Sequence, residues 1–223
     1  RFFGVGGAAL SPDVEQFLSE ARFPYAIGYG LTETAPLIAG AGPFRTKLRS
    51  TGPALSGVSL RIANPDPKTG EGEIQARGEN VMKGYYKDPE KTSDTCTPDG
   101  WFKTGDLGVF DTKMRLSIRG RLKTMILGPS GENIYPEEIE SVLNQSALVQ
   151  ESLVYDEKDG GLVALVHLKP ETLEALAKTM ENIQGWEATA KENLKDLEKA
   201  TKDILENIRK EVNARLASFS RIA

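Results

Sequence analysis

Apolar and polar positions change rhythm three times along this chain. Residues 2–5 form an apolar run that enters Gly6-Gly7-Ala8-Ala9, and they predict a short buried strand followed by a turn. Ser11 then stands as a helix N-cap, with Pro12 at the first helical position and Asp13 and Glu15 in the first turn. Val14, Phe17, Leu18 and Ala21 recur at helical spacing and predict the apolar face of that helix. Residues 25–29 predict a second short strand ending in a glycine-rich turn. Strand, helix, strand is α/β grammar.

From about residue 50 the period shortens to two. Residues 58–62 and 73–77 alternate as strands do, with Asn64-Pro65-Asp66-Pro67-Lys68-Thr69-Gly70 as the turn between them. Glycines and prolines punctuate the chain at short intervals until Gly120, which predicts a small antiparallel barrel or curled sheet. A third rhythm follows. Pro136, Glu137 and Glu138 open a helix, with proline first and two carboxylates at its positive end. Residues 149–155 and 162–168 read as strands joined by residues 156–161. From Glu171 the pattern is helical, with Gly185-Trp186 as a break between two helices. Leu194, Leu197, Thr201, Ile204, Ile208, Val212 and Leu216 step by three or four along an otherwise charged surface. Two domains are expected, residues 1–120 and 121–223, the second carrying a helical insert at about 171–216.

Composition narrows the classes. The chain has 223 residues, 39% hydrophobic and 27% charged, an ordinary globular balance. Net charge is −4, and the residues beyond 120 hold 18 of the 32 acidic groups, so nucleic acid is an unsuitable partner. No apolar run reaches membrane-spanning length, which leaves peripheral membrane contact open. Cys96 is the single cysteine. It excludes an internal disulfide and suggests a reducing, cytoplasmic setting. The single histidine, His167, sits within a predicted strand and reads as structural.

Four motifs carry the chemistry. Gly28-Tyr29-Gly30-Leu31-Thr32-Glu33-Thr34 comes first. Trp101-Phe102-Lys103-Thr104-Gly105-Asp106-Leu107 and Gly120-Arg121-Leu122-Lys123-Thr124-Met125-Ile126 follow. The last is Gly131-Glu132-Asn133-Ile134-Tyr135-Pro136-Glu137-Glu138. In this order and spacing they resemble the adenylate-forming enzymes: acyl-CoA synthetases, luciferases and peptide-synthetase adenylation domains. The wording is most similar to a bacterial long-chain fatty-acid CoA ligase, and the resemblance extends to about residue 170. It implies an α/β fold: the end of a large AMP-binding domain, then a β-barrel subdomain, then a small α+β domain.

The resemblance also implies an activity. A fatty-acid carboxylate attacks the α-phosphorus of ATP, pyrophosphate leaves, and the thiol of coenzyme A then displaces AMP. By the same resemblance Glu33 binds Mg²⁺ and Thr32 offers its hydroxyl to the α-phosphate. Tyr29 stacks on adenine, with Gly28 and Gly30 allowing close approach. Asp106 accepts from the ribose hydroxyls, and Arg121 adds a donor there. Gly6, Gly7 and Ala8 form a small-residue loop beside the nucleotide, although by residues alone they equally make a tight turn. Lys123 takes the place of the hinge between large and small domains. Gly131, Glu132 and Asn133 form the loop of the thioester step, or by residues alone a plain hairpin. The preceding Leu127-Gly128-Pro129-Ser130 departs from the family's wording.

A Ser/Thr/Gly-rich phosphate loop and a catalytic lysine belong to such an enzyme and are not found in this sequence. The chain is therefore expected to be an excised piece that does not make acyl-adenylate by itself. Other adenylate-forming activities, such as an aryl-CoA ligase or a peptide-synthetase adenylation domain, stay open. So does a non-catalytic nucleotide-binding or interaction protein on the same scaffold.

Overall fold

A computed structural model describes residues 2–157, 161–172, 174 and 190–223, without the side chains of 190–197. Gly185-Trp186, Leu194 and Leu197 fall outside those described positions or side chains. The chain divides into two compact units, Arg1–Lys123 and Thr124–Ala223.

The first unit begins with β1 (Phe3–Val5), α1 (Pro12–Glu20), β2 (Tyr25–Gly30) and β3 (Leu37–Ala41). β1 lies parallel to β2, and β2 antiparallel to β3. A single 3-10 turn, Thr32–Thr34, joins β2 to β3. Two expectations fail here. β1 is not buried: Phe2 and Phe3 are 64% and 58% exposed, because β1 is the edge strand of its sheet. Nor does α1 bury its apolar face. Val14 and Phe17 are exposed, and the buried side chain is Glu15. The Glu15 carboxylate turns inward because it accepts hydrogen bonds from the Arg49 amide at 2.9 Å and the Tyr25 hydroxyl at 3.4 Å. Ser11 occupies the N-cap position of α1 but makes no side-chain capping bond.

The period-two stretch folds as an antiparallel meander in chain order: β4 (Val58–Ala63), β5 (Gly72–Gly78), β6 (Phe102–Phe110) and β7 (Leu116–Arg121). A short helix, α2 (Pro89–Thr95), interrupts it between β5 and β6. The periodicity did not announce α2, although its caps are written locally: Asp88 accepts from the Lys91 amide, and Pro89 follows. Asp111 shapes the β6–β7 turn. The Arg115 guanidinium and amide, with Lys47 beside them, hold its carboxyl below the usual carboxylate range.

Residues 51–54 tie the two sheets together. Ala54 bridges to Ala39 of β3, and Gly52 bridges to Leu116 of β7. Gly52 adopts a φ of +99°, and a Cβ there would lie 2.6 Å from the Gly40 backbone. Only glycine fits both demands. The shared core joins Tyr29, Ile38 and Ala39 to Ile74, Ala76 and Leu116. Each fully buried Ile or Leu there contributes about 1.5–3 kcal/mol.

In the second unit β8 (Ile126–Leu127) and β9 (Asn133–Ile134) form a hairpin, followed by α3 (Pro136–Leu143). The two strands expected at 149–155 and 162–168 form as β10 (Val149–Glu157) and β11 (Gly161–Leu168), and they pair antiparallel. The long helix α4 (Ala190–Arg215) places Ile208 and Val212, each 2% exposed, in the core of this unit beside Ile139 and Leu143. That part of the charged helix is thus core-forming and not a free surface. Asn213 holds Ile222 by both backbone groups at 2.9 Å, which docks the last residues beside Leu162.

Gly30 supplies a sharp test of the first sheet. A Cβ on Gly30 would fall 1.7 Å from the Pro36 carbonyl oxygen, whereas one on Gly4 would meet nothing within 4 Å. Gly30→Ala is expected to destabilise the first unit by about 3 kcal/mol, and Gly4→Ala by far less. Chemical denaturation of the two variants checks the contrast.

Candidate active site

β2 leads directly into the first motif. Tyr29 points to the core side and is 8% exposed. Its hydroxyl donates to Asp106 Oδ2 at 2.6 Å, across 77 residues of chain. Burial, then the adjacent Asp106 carboxylate, pushes the Tyr29 phenol far above the ordinary tyrosine range. The phenol therefore stays protonated and keeps donating. The ring, expected to stack on adenine, packs in the core of the first unit. Ile38, Ile74 and Leu116 belong to the same core cluster as Tyr29.

Asp106 lies on β6, directly opposite Arg121 on β7. Arg121 Nε reaches Asp106 Oδ1 at 3.2 Å. The carboxylate is thus held from two sides, by a phenol on Oδ2 and a guanidinium on Oδ1. Its own amide donates to Thr104 Oγ1 at 3.1 Å, and Thr104 in turn donates to the Ile74 carbonyl at 2.7 Å. Gly105 takes a φ of +72°, and its carbonyl accepts from the Leu122 amide at 2.8 Å. Three of the four sequence motifs meet at this one carboxylate. Asp106 is buried, while Arg121 remains exposed at the rim.

The glycines of the first motif serve the chain's own packing. Gly30 admits the Pro36 carbonyl, and a Cβ on Gly28 would lie 2.9 Å from the Leu37 side chain. Gly6 lies beside β2, since its Cβ would meet the Gly28 carbonyl at 3.4 Å. Gly7 takes a φ of +84°, and Gly7 and Ala8 are exposed. The Gly6-Gly7-Ala8 turn therefore borders the same strand as the first motif.

Beyond β2 the turn tightens. Thr34 is fully buried, and its hydroxyl accepts from the Leu31 amide while lying within 2.9 Å of the Leu31 and Pro36 carbonyls. Ala35 takes a φ of +49°. This leaves Thr32 exposed and Glu33 half-buried at the tip. Glu33 Oε1 accepts from the Tyr85 hydroxyl at 2.9 Å. Tyr85 and Asn80 did not appear among the sequence candidates. They sit in an irregular loop with no period to flag them, and only the fold brings that loop to Glu33.

Lys123 is exposed at the end of the first unit. Gly131, Glu132 and Asn133 belong to the β8–β9 hairpin. Gly131 takes a φ of +86° and donates its amide to the Gly128 carbonyl at 2.9 Å. His167 is exposed, with Nδ1 3.2 Å from Glu151 Oε1, in keeping with a structural surface position.

Comparison with known proteins identifies the family. Residues 1–86 match the family described as AMP-binding enzyme. The long-chain-fatty-acid–CoA ligase heimdall of Drosophila melanogaster is 41% identical over 145 residues, 65% of this chain and 21% of that protein. Long-chain-fatty-acid–CoA ligase 1 of Saccharomyces cerevisiae is 33% identical over 186 residues, 81% of this chain and 27% of that protein. The chain thus spans about a fifth to a quarter of these relatives. The O-succinylbenzoate coenzyme A synthetase of Bacillus subtilis, solved with ATP and magnesium ion, is similar at a TM-score of 0.72 and 30% identity. That match covers 100% of this chain and 42% of the synthetase. Motifs, fold and relatives converge, and the chain belongs to the AMP-binding, adenylate-forming enzyme superfamily.

Proposed function

We propose that this chain is part of an AMP-forming ligase that activates a long-chain fatty acid with ATP and passes the acyl group to coenzyme A. The observation that carries this reading is the Tyr29–Asp106–Arg121 cluster, a nucleotide-suited carboxylate assembled from three separate motifs. The fatty acid is favoured by the names of the curated relatives. An aromatic or other carboxylic acid is the competing substrate, given the likeness to the succinylbenzoate synthetase. The lone cysteine supports a cytoplasmic setting. Among the described residues no helix is long and apolar enough to cross a membrane.

Asp106 acts as acceptor for the ribose hydroxyls. Its two oxygens are already oriented by Tyr29 and Arg121, so a ribose meets a fixed carboxylate and little ordering cost remains. Arg121, exposed beside it, supplies a donor toward the ribose or phosphate. Thr32 at the open tip donates to the α-phosphate. The carboxylate of the acid then displaces pyrophosphate, and the thiol of coenzyme A displaces AMP from the acyl carbon. Gly131, Glu132 and Asn133 serve that second step at a hairpin where Gly131 is exposed.

The residues present fit a magnesium ion. Glu33 is half-buried, and its Oε2 carries no hydrogen bond among the described residues. Mg²⁺ is held by one or two carboxylates together with substrate phosphates, which asks for no more from the protein. When bound, the ion neutralises charge developing on the phosphate oxygens.

Asp106→Asn keeps an acceptor for the Tyr29 hydroxyl and removes the charge. In the full-length polypeptide it is expected to weaken ATP and AMP binding by about 1.5–3 kcal/mol while fatty-acid affinity holds. Calorimetry with each ligand measures this, and unchanged nucleotide affinity would remove Asp106 from the site. Lys123 is proposed as the hinge. Lys123→Pro fixes φ at that position and is expected to spare pyrophosphate release but block transfer from preformed acyl-adenylate. Equal loss of both half-reactions in a folded protein would assign Lys123 a structural role instead.

A further inference from the structure

Glu33 is clasped by a loop that the first motif does not include. Residues 79–86, between β5 and α2, reach Glu33 with two bonds and its neighbours Thr34 and Leu37 with two more. Asn80 Nδ2 donates to the Thr34 carbonyl at 2.7 Å and to the Leu37 carbonyl at 3.0 Å. The Met82 amide donates to the Glu33 carbonyl at 2.7 Å. The Tyr85 hydroxyl donates to Glu33 Oε1 at 2.9 Å. Backbone and side chain of Glu33 are therefore both held from one direction.

Tyr85 is itself held. Its amide donates to Thr92 Oγ1 at 2.9 Å, and Thr92 donates to the Asp88 carbonyl at 2.7 Å, which fastens the loop to the first turns of α2. Gly84 takes a φ of +145°, and a Cβ there would lie 2.7 Å from the Thr92 side chain. The Lys91 ammonium sits 4.1 Å from the Tyr85 ring centroid, a distance at which a cation is attracted to the ring face. A tyrosine fixed at backbone, ring and hydroxyl is costly to assemble for packing alone, since the ring remains half-buried.

We propose that Tyr85 is a positioning residue for the metal-binding carboxylate. Its hydroxyl engages Glu33 Oε1 at 2.9 Å and sets the carboxylate plane, so that Oε2 would be the oxygen left to hold a divalent cation. This rests on the reading of Glu33 as the magnesium ligand. The consequence is chemical. A carboxylate held by one oxygen offers a single ligand, which suits the small octahedral Mg²⁺, whereas Ca²⁺ readily takes both oxygens. Partners that orient a metal ligand are commonly worth about 10–100-fold in metal affinity or activity.

The test uses the full-length polypeptide and three variants: Tyr85→Phe, Glu33→Ala and the double variant. Mn²⁺ binding is followed by electron paramagnetic resonance with a non-hydrolysable α,β-methylene ATP, and circular dichroism checks folding. Tyr85→Phe keeps the ring and removes only the donor. It is expected to weaken Mn²⁺ binding about tenfold and to raise the Mg²⁺ needed for half-maximal rate in proportion, with the KM for the acid unchanged. In the Glu33→Ala background Tyr85→Phe is expected to add nothing, because both act through one carboxylate. If Glu33→Ala weakens Mn²⁺ binding and Tyr85→Phe does not, the positioning role is overturned and the magnesium reading stands. If Glu33→Ala leaves Mn²⁺ binding unchanged, the magnesium reading itself falls and this inference falls with it. An additive loss in the double variant overturns the proposal too, since Tyr85 would then act by another route.

Discussion

A short hydrogen bond from a buried phenol to a buried carboxylate organises the first unit. Tyr29 and Asp106 are 77 residues apart and meet at 2.6 Å. A carboxylate as covered as Asp106 is stable only if its oxygens are bonded. Tyr29 and Arg121 meet that demand from two different elements. The bond therefore does two things. It joins the β1–β2–β3 sheet to the meander, and it aims the carboxylate. Were Tyr29 to lose its proton, two adjacent negative charges would share a buried space, so burial and Asp106 together keep the phenol neutral.

Around this fixed point the structure grades from buried to exposed. Tyr29, Ile38, Ala39, Ile74, Ala76 and Leu116 are core, and Thr104 lines up the β6 backbone behind Asp106. At the rim Thr32 and Arg121 are exposed, and Glu33 is half-buried. Such a gradient suits a site that must hold a carboxylate still while a substrate enters. The Glu33 turn needs its own frame because it projects beyond the sheet. Thr34 closes the turn from within, and the 79–86 loop closes it from outside.

The second unit follows a simpler logic. Its core is made by the alternating faces of β10 and β11 against α3 and the apolar stripe of α4. Polar groups are placed where backbone would otherwise be left unpaired. Glu140 Oε1 accepts from the Val154 amide at 2.8 Å, and Asn213 satisfies both backbone groups of Ile222. The β8–β9 hairpin carries Gly131 in a left-handed conformation that a side chain would strain.

Much of this was legible from the sequence. The alternation of residues 58–62 and 73–77, the proline-led start of α3 and the strands near 149–155 and 162–168 are local signals, and local signals follow from backbone sterics and hydrogen bonding. The family was legible because four motifs occur in order. Other features were not. Phe2, Val14 and Phe17 look like core by pattern but stay exposed, while Glu15 turns inward to the Arg49 amide. Tyr29 carries no local sign that its hydroxyl bonds Asp106 or that it joins the core of the first unit. Tyr85 and Asn80 lie in an irregular loop, where no period records what a side chain will touch. Composition and spacing therefore determined which elements form and which superfamily they serve. The partners of each polar group were decided only by the tertiary structure, because a hydrogen bond between residues 46, 52 or 77 positions apart depends on chain crossings that no local pattern encodes.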